Sequence, residues 1–187
     1  MNNKVMCVDD DQNILSGYKR QLRKDFEIET ALGGEEGIEM MMSKGPFAVI
    51  VSDMRMPGMN GKQFLARVRA SNPNTVRIML TGNADMQMAI DAVNEGNIFR
   101  FLTKPCQPEA LTKSLAAGIK QYQLIMAEQE LLKNTLTGSI KILVEILSMV
   151  NPVAFGQASR IRKYVRHIGK EMHLPNLWQY EIAATLS

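Results

Sequence analysis

Cysteine is scarce. Cys7 and Cys106 are the only two in 187 residues, and they form no spaced framework. That excludes a disulfide scaffold and a cysteine-rich zinc site, and both read as reduced thiols. Long apolar runs are missing too. None approaches the ~20 residues that a membrane-crossing helix needs. A large excess of either charge is missing as well, since the formal net charge is only +3. So small a surplus does not argue for nucleic acid by itself. No glycine-rich phosphate loop follows the first apolar run, where Asp9-Asp10-Asp11 stands instead. That argues against a plain nucleotide-cofactor binder. The first strand is expected to begin near residue 3, so no signal peptide and a cytoplasmic location are expected. What remains, 45% hydrophobic and 22% charged, is ordinary globular composition.

Short apolar runs alternate with helical patterns through the first two thirds of the chain. Strands are expected near 3–8, 26–31, 47–52, 75–80 and 98–103. Helices are expected near 12–24, 34–44, 61–71, 84–95 and from 108 onward. Gly33-Gly34, Gly45-Pro46, Pro57-Gly58, Asn72-Pro73-Asn74 and Gly96-Asn97 punctuate them as loop residues. Five such units predict an α/β fold, a doubly wound five-stranded parallel sheet with right-handed crossovers. Met40-Met41-Met42 reads as helix packing.

Three charged scraps each follow an apolar run: Asp9-Asp10-Asp11, Asp53 and Lys104-Pro105. Ligands of open α/β sheets bind at the carboxyl ends of the strands, so these charges converge on one edge. A carboxylate attacks phosphorus when a divalent cation and a cationic side chain offset the phosphoryl charge. Mg²⁺ takes one or two carboxylates and keeps several waters. Asp10 and Asp53 could supply these, with Asp9 holding a metal-bound water. Thr81 ends the fourth strand and could donate its hydroxyl to a phosphoryl oxygen, with Gly82 leaving space. Asp11 reads as a helix cap.

Val-Asp-Asp at 8–10, Ser-Asp-Met-Arg-Met-Pro-Gly-Met-Asn-Gly at 52–61, Leu-Thr-Gly at 80–82 and Phe-Leu-Thr-Lys-Pro at 101–105 resemble the receiver domain of two-component response regulators. The resemblance covers roughly 3–124 and implies strand order 2-1-3-4-5. It implies that Asp53 accepts phosphate from a sensor histidine kinase, a phosphotransfer protein or a small phosphodonor. It also implies that Mg²⁺ is held by Asp9, Asp10, Asp53 and the carbonyl of Arg55. Thr81 and Lys104 would read the phosphoryl group, Phe101 would follow as an aromatic switch, and Lys104-Pro105 would be cis. The side chain of Arg55 could tune phosphoryl lifetime or simply be exposed.

After Pro108 the pattern is helical only. A helix region over 108–150 overlaps the end of the receiver, assigned to 1–124. Leu115, Tyr122, Gln129, Leu136 and Leu143 recur at heptad spacing, with Ile125 and Leu132 between them, which predicts a homodimer seam. Gly138 is a candidate interruption and Asn151-Pro152 the end. Residues 151–187 form a further helical segment. Asn151-Pro152, Gly156-Gln157-Ala158-Ser159-Arg160-Ile161 and Glu181–Leu186 resemble the opening of HD-type metal phosphohydrolases. That family includes cyclic-dinucleotide phosphodiesterases fused to receivers. Gln157 and Ser187 stand where histidine ligands would be, and His167 and His173 fall off the ligand positions. No hydrolase site is expected in this chain, which would catalyse only its own phosphorylation and dephosphorylation. The expected function is a phosphorylation switch acting on the tail or on a downstream protein. A regulatory part of an HD-type phosphodiesterase and a DNA-binding regulator are the alternatives. Arg160, Arg162, Lys163 and Arg166 motivate the second, although they need not share one face.

Overall fold

The computed structural model describes residues 2–82, 98–150, 152–174 and 176–186. The expected helix over 84–95 lies outside the described residues. The chain divides into two compact units, Met1–Ala127 and Glu128–Ser187.

The first unit runs β1 (Lys4–Asp9), α1 (Gln12–Leu22), β2 (Glu27–Leu32), α2 (Gly34–Lys44), β3 (Val49–Asp53), α3 (Gly61–Ser71), β4 (Val76–Thr81) and β5 (Arg100–Thr103). It closes with the first turns of α4, a helix over Pro108–Val150. All strand pairs are parallel, in the order β2-β1-β3-β4-β5. This is the expected sheet.

Side chains alternate across a strand, and here both faces are covered. Met6, Val8, Ile50 and Met79 join Met41, Phe64 and Leu65 in one core. Val5, Cys7, Val49, Val51 and Ile78 join Leu15, Leu22, Leu111 and Leu115 in the other. Both faces being apolar explains why the strands read as unbroken hydrophobic runs. Asp11 caps α1 by accepting from the Asn13 N–H at 2.7 Å. Asn60 and Gln63 form a reciprocal capping box at the start of α3. Within Met40-Met41-Met42, Met41 is buried and Met40 packs on the core, but Met42 is exposed.

Boundaries shift by one or two residues. Phe47 and Ala48 precede β3, although Ala48 already donates to the Lys4 carbonyl at 2.9 Å. At the other end Asp53 is still a strand residue, because it pairs with Leu80. β5 starts at Arg100 rather than 98.

Gly138 does not interrupt α4. A helical glycine costs only about 1 kcal/mol relative to alanine, which the surrounding helix tolerates. The expected seam is split by burial. Leu115 and Tyr122 belong to the receiver core, so only its later members remain uncovered.

The second unit holds the rest of α4 with α5 (Pro152–Glu171) and α6 (Leu177–Leu186). α5 packs against α6, and Arg166 grips Glu181 with two hydrogen bonds of 2.7 and 2.6 Å. That pairing lowers the Glu181 carboxyl below its usual range. Among the described residues, no helix is long and apolar enough to cross a membrane.

Candidate functional site

The ends of β1, β3, β4 and β5 meet at one edge of the sheet. Register enforces this: Asp53 pairs with Leu80, Thr81 with Thr103, and the Lys104 N–H donates to the Thr81 carbonyl at 2.8 Å. Three of the expected site residues, Asp9, Asp53 and Lys104, thereby come into direct contact. The Lys104 Nζ lies 2.8 Å from Asp9 Oδ2 and 2.7 Å from Asp53 Oδ1. Asp9 is 1% exposed and Asp53 6%. Unpaired charges that deeply buried would be costly, and the shared ammonium offsets them.

Each remaining carboxylate oxygen also has a donor. Asp9 Oδ1 accepts from the Asp11 N–H at 3.0 Å, and Asp53 Oδ2 from the Arg55 N–H at 3.1 Å. Both acids are thus held in fixed orientations. Burial works to lower the Lys104 pKa, but hydrogen bonds and charge from Asp53 and Asp9 outweigh it, and the net shift is upward. Lys104 therefore stays cationic at neutral pH. The Lys104-Pro105 bond is cis, as expected.

Asp10 lies next to this pair but is exposed. Thr81 is fully buried, and its hydroxyl donates to the Gly82 carbonyl at 3.1 Å. Phe101 is half-buried and packs against the core that contains Met79.

Among the described residues, no three His, Cys, Asp or Glu side chains form a metal-holding group. Mg²⁺ does not require one, because one or two carboxylates plus carbonyl and water oxygens suffice. Asp9, Asp10, Asp53 and the Arg55 carbonyl are all hard oxygen donors. The convergence of Asp9 and Asp53 on a single cation shows that this edge attracts positive charge. The donor set fits the ion.

Two contributors escaped the sequence reading. A Cβ on Gly61 would collide with the Asp53 backbone carbonyl, so only glycine lets α3 begin this close to Asp53. Tyr18 stands on the α1 face that carries Leu15 and Leu22, next to Lys104. Burial pushes its hydroxyl up to about 12, with Lys104 pulling the other way. The Leu15-Tyr18-Leu22 spacing was the available signal for it. In the tail, Gln157 and His167 are exposed, and the His173 Nδ1 lies 3.0 Å from the Glu171 carbonyl. Ser187 lies outside the described residues.

Residues 5–116 match the family of response regulator receiver domains. The chain is 32% identical over 120 residues to the hydrogenase transcriptional regulatory protein HoxA of Bradyrhizobium diazoefficiens, covering 64% of this chain and 24% of HoxA. It is 26% identical over 169 residues to the transcriptional regulatory protein GlrR of Escherichia coli, covering 90% of this chain and 37% of GlrR. The chain thus spans a quarter to somewhat over a third of these relatives.

Among solved structures, an adenylate cyclase from Rhodopirellula baltica aligns with TM-score 0.70 and 47% identity, covering 71% of this chain and 98% of that one. The signal receiver domain of an HD domain-containing protein from Pseudomonas fluorescens aligns with TM-score 0.61 and 26% identity, covering 66% and 98%. The family match ends before the helical tail and does not extend the HD resemblance to residues 151–187. It does cover the carboxyl ends of all the strands that bring Asp9, Asp53, Thr81 and Lys104 to one edge, and on that ground the chain belongs to the response regulator receiver domain family of two-component systems.

Proposed function

We propose that this chain is a phosphorylation switch in which Asp53 is the phosphoacceptor. The observation that carries the reading is the Lys104 bridge between Asp9 and Asp53. It puts a fixed positive charge beside a carboxylate that must accept a dianionic group. An Asp53 carboxylate oxygen attacks the donor phosphorus. The bond from phosphorus to the donor's nitrogen or oxygen breaks, and the leaving group keeps the electron pair. Receiver domains generally use Mg²⁺, which when bound neutralises phosphoryl oxygens. Asp9, Asp10, Asp53 and the Arg55 carbonyl would hold it here. Thr81 then exchanges the Gly82 carbonyl for a phosphoryl oxygen, and Phe101 turns into the space that this leaves. The Thr81 and Phe101 movements are the local event that biases a two-state element.

Receiver domains take their phosphate from histidine kinases. In this reading the partner of this chain is a sensor kinase or a phosphotransfer protein, in the cytoplasm. The same reading makes the chain a homodimer and directs its output to a downstream protein or to a domain joined to the tail.

A second reading makes this chain the regulatory part of an HD-type cyclic-dinucleotide phosphodiesterase. The similarity to a receiver from an HD domain-containing protein favours it. The tail described here supplies no metal-ligand group for such chemistry. A DNA-binding output is less well supported, because the Arg166 guanidinium already grips Glu181.

Intact-mass measurement with a small acyl-phosphate donor tests the main reading. Wild type should gain one phosphate only with Mg²⁺ present, and Asp53→Asn should gain none. Equal labelling of the two proteins would overturn it.

A further inference from the structure

The exposed seam of α4 has a geometry that specifies its occupant. Every residue from 126 to 139 is exposed, although the helix is unbroken. Leu132 is 56% exposed, Leu136 49%, Leu143 54% and Ile146 53%. Written as a heptad with Gln129, Leu136 and Leu143 at a, the d positions hold Leu132, Ser139 and Ile146, while Ile125, one heptad earlier, packs on the receiver core.

Within the second unit, α5 and α6 do not cover this stripe. The α4 residues that line a cleft of about 260 Å³ with Arg162, Trp178 and Glu181 are Thr137, Ile140, Lys141 and Val144, of which Ile140 borders the stripe. At 3.6 residues per turn their mean direction lies about 120° around the helix from the a/d stripe. The tail helices and a partner can therefore occupy α4 together. A rival seam through Leu124, Leu131 and Ile142 is interrupted by Glu128, Thr135 and Gly138, so it borders the main stripe and does not replace it.

Charge fixes the orientation. In this frame Glu128 is a g residue and Lys133 is the e residue five places on. A parallel in-register pair of helices sets g against the partner's e. Glu128 then meets the partner's Lys133, twice by symmetry. An antiparallel pair sets e against e and g against g, so the favourable contact between Glu128 and Lys133 is lost. Both residues are exposed.

We propose that residues 128–146 form a parallel, in-register, two-stranded coiled coil with a second copy of this chain, its orientation selected by Glu128–Lys133 pairs. The proposal deepens the homodimer in the reading above and names its interface.

The test uses the full chain, with and without Mg²⁺ and acyl phosphate. Light scattering should give two chains for wild type. Glu128→Lys and Lys133→Glu should each weaken self-association about tenfold, because each sets like charges against each other at both g–e contacts. Mixing the two variants should restore near wild-type affinity, since both contacts then pair opposite charges. In a Cys106→Ser background, Leu132→Cys and Leu143→Cys should each form self-linked dimers on oxidation. An antiparallel pair can self-link at only one of two positions roughly 16 Å apart along the helix.

A monomer under all conditions overturns both the homodimer and the coil. A dimer that self-links at neither or only one position, or whose variants do not rescue each other, overturns the coil alone. An assembly of three or four chains overturns the two-stranded form. Asp53 labelling is read by intact mass in every variant, so failure of the coil stays separate from failure of the switch.

Discussion

Replacing Lys104 with methionine keeps most of the aliphatic stem and removes the one charge shared by Asp9 and Asp53. The contacts of 2.8 and 2.7 Å fix the scale of the effect. They leave the two carboxylate oxygens at most about 5.5 Å apart, where two unit charges repel by about 3 kcal/mol at an effective dielectric near 20. Breaking a buried pair by removing one partner generally costs about 3–5 kcal/mol. Lys104 is 26% exposed, so water reaches the site and reduces this. Lys104→Met should therefore destabilise the receiver unit by about 2–4 kcal/mol in divalent-free buffer at neutral pH. Adding Asp53→Asn removes the repulsion, so the double variant should recover about 1–3 kcal/mol.

The pH dependence has a definite sign. The folded-state pKa of Lys104 lies above its ordinary 10.5. Its stabilisation is whole below that ordinary value and is lost as pH rises through the higher folded value. The stability gap between wild type and Lys104→Met should thus be constant through neutral pH and close as the solution becomes strongly alkaline. Hydrogen exchange at the β1 and β3 amides is the suitable assay. It reports the receiver unit alone, whereas Trp178 lies in α6 of the other unit. A loss below about 0.5 kcal/mol at neutral pH, with no recovery in the double variant, would refute the electrostatic account.

Asp10→Asn should weaken Mg²⁺ binding at least about tenfold by calorimetry, about 1.4 kcal/mol, whereas Asp11→Asn should leave it nearly unchanged. Asn caps a helix as well as Asp does, so α1 should also survive the second change. Similar losses from both would put the acidic pair in the wrong register. Gly61→Ala should cost about 1–3 kcal/mol in chemical denaturation and slow Asp53 labelling, since the new methyl displaces the acceptor's own backbone. Wild-type stability in that variant would mean that the β3–α3 turn yields freely. Iodoacetamide near pH 8 should modify Cys106 well before Cys7, read by peptide mass. Burial, aided by Asp9, pushes the Cys7 thiol to about 12, while Cys106 is only partly buried. Comparable labelling of the two cysteines in the folded protein would contradict that ranking.

The acidic edge was legible because parallel strands buried on both faces write themselves as apolar runs. The residue that ends each run is then a site residue almost by construction. Asp9, Asp53 and Thr81 are each the last residue of a strand. The cap role of Asp11 was legible for a local reason, as its partner is two residues away. Gly61 was not legible, because its necessity comes from the carbonyl of a residue eight positions earlier that the turn folds back against it. The seam was half legible. Leu115 and Leu136 occupy the same heptad position and carry the same side chain, yet one is fully buried and the other 49% exposed. Periodicity records that a helix face is apolar. It does not record where the sheet beneath that helix ends.

That shared period links the site to the tail. Lys104 stands four residues before α4, and Leu111, Leu115 and Ile119 seat the first turns of that helix on the sheet. Ile125 still packs on that core, and the next members of the same apolar stripe, from Leu132 onward, are those assigned to the second copy. In the proposed switch, a phosphoryl group on Asp53 would compete with Asp9 for the Lys104 ammonium, and the charge arriving at β3 would be felt at the lead into α4. If the coil transmits the signal, Leu132→Asp with Leu136→Asp should abolish self-association and leave Asp53 labelling and its Mg²⁺ requirement unchanged. The reverse substitution separates the two ends of the path. Lys104→Met should blunt any effect of phosphorylation on dimer affinity while the unphosphorylated dimer persists. Light scattering with and without phosphodonor measures both. Phosphate-dependent association that survives Lys104→Met would show that the path runs elsewhere, with Thr81 and Phe101 as the residues to test next.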